Sequence, residues 1–123
     1  MDAQSREKYL KLALRVFGVI FIVGVYIMMM VWPAGWGWEP RQAEYEQMIV
    51  GVYAVMGIFM LIAANNPAEH RSFIWFVVWS SAAHAAIMLV QALLDSTESA
   101  NLLGDIPALF LVAIVLAWLT PRK

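Results

Sequence analysis

Five residues, Ser81, His84, Met88, Gln91 and Asp95, follow one another at intervals of three, four, three and four, which places them on one stripe of an α-helix. They bring hydrogen-bonding side chains into an otherwise apolar stretch, with Trp75 and Trp79 on roughly the opposite face. His84 lies near its middle, and its chemistry has several readings. A neutral imidazole can hydrogen-bond to a facing helix as ordinary interhelical glue. It can line a polar cavity for a small ligand, a quinone or a lipid headgroup, since ionisable groups inside a membrane mark functional sites. It can pass protons, because its charge changes near neutral pH; below Ser81, however, the stripe runs through Val77 and Ile74 before reaching His70, so the wire is broken on that side. It can also ligate haem or copper together with Met56 or Met60. The two histidines cannot share an ion within one chain, because their separation along the helix is about 21 Å.

A second stripe carries Glu46, Tyr53, Met56 and Met60. Tyr53, or Tyr26 from an earlier segment, can partner His84, and Glu46 can meet Gln91 or Asp95 at the mouth of a bundle. The remaining outer carboxylates, Glu39, Glu44, Glu98 and Asp105, read as a solvated rim, and the methionines as flexible apolar filler. No H-E-x-x-H, nucleotide loop or G-x-S-x-G occurs, and no cysteine is present. The expected ligand-binding set is therefore Ser81, His84, Met88, Gln91, Asp95, Tyr53 and Glu46, with no catalytic residue, metal or cofactor assigned.

The elements that must position these residues follow from composition. Of 123 residues, 63% are hydrophobic and 14% charged, and the mean hydropathy is +0.71. Ordinary globular domains carry roughly 25% charge and about 45 to 50% apolar residues, and so short a chain has too little interior to hide the excess. A membrane is the natural solvent. A net charge of −1 excludes a nucleic-acid partner, which requires a basic surface. Four apolar stretches, 10–32, 48–64, 73–94 and 106–119, compare with the roughly 20 residues needed to cross about 30 Å of hydrocarbon. None alternates strictly as barrel strands do, so the expected fold is an all-α integral membrane bundle of four transmembrane helices, one domain over residues 1–123.

Local signals mark the boundaries. Asp2 or Ser5 can cap the first helix. Asn66-Pro67-Ala68-Glu69 can start the third with an Asn cap, a first-turn proline and a reaching glutamate. Asp105-Ile106-Pro107 starts the fourth, and Glu39-Pro40 is a weaker start for the second. The short link at Asn65 and Asn66 makes the second and third helices antiparallel neighbours. Seven basic residues, Arg6, Lys8, Lys11, Arg15, Arg71, Arg122 and Lys123, fall on one side of this topology and Arg41 alone on the other, which places both termini in the cytoplasm. The first span has no A-x-A cleavage site, so it is expected to remain as an anchor. Trp32, Trp36 and Trp38 at one end and Trp118 at the other read as interfacial belts. The loop from Pro33 to Trp38 lies in the outer interface or covers the bundle.

Several segments together resemble an uncharacterised family of short bacterial four-span membrane proteins, known only as a domain of unknown function. They are Trp32-Pro33 with Gly35-Trp36-Gly37-Trp38, Tyr45-Glu46-Gln47-Met48, Gly57-Ile58-Phe59, Asn66-Pro67 with His70-Arg71-Ser72, Trp79-Ser80-Ser81 with His84, and Gly104-Asp105-Ile106-Pro107-Ala108-Leu109. The resemblance implies four spans and no assigned reaction. The favoured reading is a non-enzymatic binding or accessory protein of the cytoplasmic (inner) membrane, with a polar site around His84 for a small amphipathic ligand or lipid. The alternative is a membrane enzyme or redox subunit, with haem or quinone, using His84 with Glu46 or Asp95. Membrane lipids are the expected partners. Self-association through small-residue faces such as Ala113 and Ala117, or docking in a larger membrane complex, stays open.

Overall fold

Helix α1 (Ala3–Val31) begins where the sequence places its cap: Asp2 accepts a 2.7 Å hydrogen bond from the Ser5 backbone N–H, satisfying one of the donors that a first turn leaves free. The structure, a computed structural model, describes residues 2–36 and 43–121, with the side chains of 43–46, 97 and 98 outside that description. The expected start at Glu39-Pro40 and the residues Trp38 and Arg41 lie outside the described residues. Regular α-helix ends at Val19; Ile20–Gly24 then form a π turn, and α-helix resumes at Val25. The Val25 N–H reaches the Ile20 carbonyl, five residues back.

Proline stops the helix. Trp32 leaves the helical region at φ −136°, ψ 71°, as expected before Pro33, whose ring crowds the preceding residue out of αR. The short helix α2 (Pro33–Trp36) follows, and then α3 (Ala43–Asn65). Asn66 is extended before Pro67 for the same reason, at φ −153°, ψ 78°. Its backbone makes the turn, accepting from the Glu69 N–H at 3.1 Å; the expected side-chain cap from Asn66 is not formed. Helix α4 (Pro67–Leu94) opens with a 3₁₀ turn over Pro67–His70 and is α-helical from Arg71. After a 3₁₀ segment at Ser96–Leu102, α5 (Asp105–Leu119) completes the chain. Gly104 is its cap residue, so Asp105 sits inside the first turn, where the helix dipole favours a carboxylate.

Helices α1, α3, α4 and α5, the last with the 3₁₀ residues before it, are the four long and apolar enough to cross a membrane. Among the described residues there is no strand. On α1, Leu10, Leu14, Phe17 and Phe21 form the buried stripe at helical spacing. It meets Met60 and Ala64 of α3, Ile74 and Val77 of α4, and Leu116 of α5 in one core. The outward surface is apolar too, from Val16 on α1 to Ile114 on α5, which suits lipid rather than water.

Packing is uneven around the bundle. Helix α1 lies along α3 and α5, and α4 along α5, whereas the backbones of α3 and α4 approach closely hardly anywhere. The short link does make them antiparallel, but each finds its main partner elsewhere. Two close approaches explain this. At the α1–α3 crossing, a Cβ added to Gly18 would lie 2.9 Å from the Gly57 carbonyl, and one added to Gly57 would press on Ile22 at 2.8 Å; only glycine permits so tight a contact. At the outer end, a Cβ added to Gly104 would collide with the Gly35 carbonyl of α2, whereas one added to Gly35 would meet the Trp32 indole at 2.7 Å. Of the two placements open to the Pro33 loop, its described part, α2, thus covers the α4–α5 connection. Ala113 is buried within the chain and Ala117 packs against the core.

Candidate functional site

The gap between α3 and α4 is bridged by side chains. The Tyr53 hydroxyl and His84 Nδ1 are 2.5 Å apart, and the two rings lie nearly parallel, 17° apart in plane with centroids at 5.9 Å. Nearer the tight turn, Phe59 and Phe73 meet across the same gap at 6.1 Å. At the level of the Tyr53–His84 bridge lies a recess of about 140 Å³. Helix α3 lines it with Ile49, Val52, Tyr53 and Met56, a run at helical spacing; α4 contributes Ser80, Ser81 and His84. Its walls are almost wholly apolar apart from the Tyr53–His84 pair and the two serines.

The polar groups are held within and between helices. Ser80 Oγ donates to the Val77 carbonyl at 3.3 Å, an internal bond of α4. Tyr53 is clamped from the other side by Phe21, edge to face at 5.3 Å. That contact follows from the glycine crossing: Phe21 lies one turn beyond Gly18, and Tyr53 one turn before Gly57, so closing the backbones brings the rings together. Phe21 is also part of the π turn, a feature that often lies beside functional sites. The Asp105 carboxylate is buried at the head of α5. The recess is thus lined by α3 and α4 and backed by Phe21 of α1.

Of the residues expected from sequence, Tyr53, Ser81 and His84 come together at the recess. Met88 is buried in the core cluster, while Gln91 and Asp95 are exposed toward the outer end of α4. Asp95 stands eleven residues beyond His84, about 16 Å along the helix, so the stripe is continuous in sequence but not a single site in space. The Glu46 side chain lies outside the described residues. Tyr26, the other expected partner for His84, faces outward. Met56 shares the recess with His84, whereas Met60 is fully buried in the core. Among the described residues, no three His, Asp or Glu side chains converge as a metal site.

Sequence reasoning did not include Phe21, Ile49, Val52 or Ser80 in the site. The spacing of Ile49, Val52, Tyr53 and Met56 is a legible signal for four positions of one face. Phe21 continues the buried stripe of α1 at helical spacing and so reads as core; its contact with Tyr53 depends on the α1–α3 crossing. Asp105 read as a solvated helix start; it is buried beside Gly104, against which α2 packs.

Four long apolar helices around a side-opening recess with a Tyr–His pair define a small all-α membrane bundle. The chain belongs to DUF6632, a family of unknown function, whose model matches residues 4–122. No curated protein and no solved structure matches it. The family seen in the loop motifs is thus established, without a reaction to transfer to the recess.

Proposed function

We propose that this chain is a non-enzymatic binding or accessory protein of the cytoplasmic membrane, with both termini cytoplasmic, that takes a small amphipathic molecule or lipid from the bilayer into the α3–α4 recess. The observation that carries this reading is the pairing of Tyr53 with His84 inside an apolar recess that opens sideways: Ile49 and Val52 on its rim are 46% and 58% exposed. Apolar walls with a few convergent polar groups are the usual composition of a small-molecule site. Entry from the side requires no aqueous path, because the ligand is already dissolved in the lipid. The positive-inside distribution of Lys and Arg supports the orientation.

Native mass spectrometry of the protein released from mild detergent tests the proposal. The expected spectrum contains a retained lipid-soluble species that disappears in the recess-filling variant Val52→Trp and persists in Ile62→Trp, a substitution at another exposed position of α3. Bare wild-type protein, or a species retained equally by Val52→Trp, would overturn it.

A further inference from the structure

We infer that the occupant of the recess is a neutral, ring-headed molecule with an alkyl or isoprenoid tail, of the quinone or phenol class, rather than a phospholipid headgroup; the inference rests on the binding role proposed above. Three observations point the same way. The first is size. The recess of about 140 Å³ is close to the roughly 150 Å³ of an apolar protein cavity that holds one benzene. A single six-membered ring fills it.

The second is charge. The described lining holds no Lys or Arg, so a phosphate has no cationic partner there. A desolvated anion without such a partner is costly. A neutral ring avoids this cost.

The third is the form of the polar pair. With Tyr53 donating to His84 Nδ1, the neutral imidazole keeps a donor at Nε2, which suits a carbonyl oxygen. In the opposite tautomer, Nδ1–H donates to the phenol oxygen, and Nε2 becomes an acceptor, which suits a hydroxyl. One pair can therefore receive either the carbonyl or the hydroxyl form of the same ring. Met56 adds a thioether on the lining, a group that packs well against aromatic edges. The exposed Ile49 and Val52 form the rim, over which a tail passes into the surrounding acyl chains.

The test is a binding titration of the full chain in phosphatidylcholine nanodiscs, with decyl-benzoquinone, decyl-phenol, dioleoyl-phosphatidylglycerol and decanol as separate probes. Saturable binding of decyl-benzoquinone and decyl-phenol is expected, weakened about threefold to tenfold by Tyr53→Phe and abolished by Val52→Trp. Ile62→Trp should bind as wild type, and equal helical circular dichroism should show that the variants fold. If phosphatidylglycerol or decanol binds as tightly as the ring probes and Val52→Trp abolishes that binding, the ring assignment is overturned while the recess remains a lipid site. If no probe binds saturably, or Val52→Trp binds the ring probes unchanged, the ring assignment and the recess reading both fall.

Discussion

At the level of single residues, the Tyr53–His84 bond is the contact on which the site depends. It joins two helices whose backbones stand apart, with Phe59–Phe73 as a second side-chain bridge between them. Tyr53→Phe keeps the ring against Phe21 but removes the hydroxyl. The expected result is a stability loss of about 0.5 to 1.5 kcal/mol and a changed ¹⁵N shift at His84 Nδ1; an unchanged shift would show that the bond does not form in the membrane. Asp2 makes a different, fully local contribution. The bond from the Ser5 N–H holds its carboxyl below the usual carboxylate range. A lowered folded-state value means that the stabilisation is present above the ordinary aspartate value and is lost as pH falls through the lower one. Protection of the Ser5 amide relative to its intrinsic exchange rate should therefore hold at neutral and mildly acidic pH and fall only in stronger acid, and Asp2→Asn should remove most of that dependence. Tyr53 was legible as a partner for His84 because both lie on polar stripes at helical spacing. Gln91 and Asp95 shared the stripe with His84 but not its surroundings, because several turns of helix carry them to the exposed end.

At the level of elements, the α1–α3 glycine crossing sets the geometry that the site uses. Gly57→Ala would push a methyl group onto Ile22 and the Gly18 backbone, and overpacking of this kind costs about 1 to 3 kcal/mol. Gly51, on the same helix, has open space where a side chain would go. Gly51→Ala should therefore be neutral or stabilising by up to about 1 kcal/mol. Unfolding of the two variants in detergent reads the contrast directly, and the Gly57 variant should also lose ligand binding, because Phe21 no longer clamps Tyr53. The helix starts at Asp2 and Pro67 were legible because capping and proline sterics act within a few residues. The π turn was not: Ile20–Gly24 is as apolar as any part of a regular span, and nothing in its residue types marks the wider turn.

At the level of the whole molecule, four spans place Gln4 on one side of the membrane and Ser99 on the other. Both are exposed, and the chain has no native cysteine, so single-cysteine variants at these positions report topology cleanly. With cytoplasmic termini, a membrane-impermeant maleimide should label Ser99→Cys in intact cells and Gln4→Cys only after permeabilisation; the reverse pattern would overturn the charge-based orientation. The bundle's asymmetry also belongs to this scale. Because α3 packs on α1 and α4 on α5, the seam between α3 and α4 is left for side chains to close, and that is where the recess lies.

The sequence by itself determined the solvent, the number of spans, most helix starts and the polar face of α4. Those properties depend on hydropathy and on interactions a few residues apart. The tertiary structure alone decided which helices touch, that α2 covers the α4–α5 connection, and that Tyr53 rather than Tyr26 reaches His84. Each of these depends on the register between distant segments, set by backbone contact at Gly18 with Gly57 and at Gly35 with Gly104. In a chain whose helices are apolar on most of their surface, hydrophobic patterning does not distinguish one neighbour from another, and close glycine packing does.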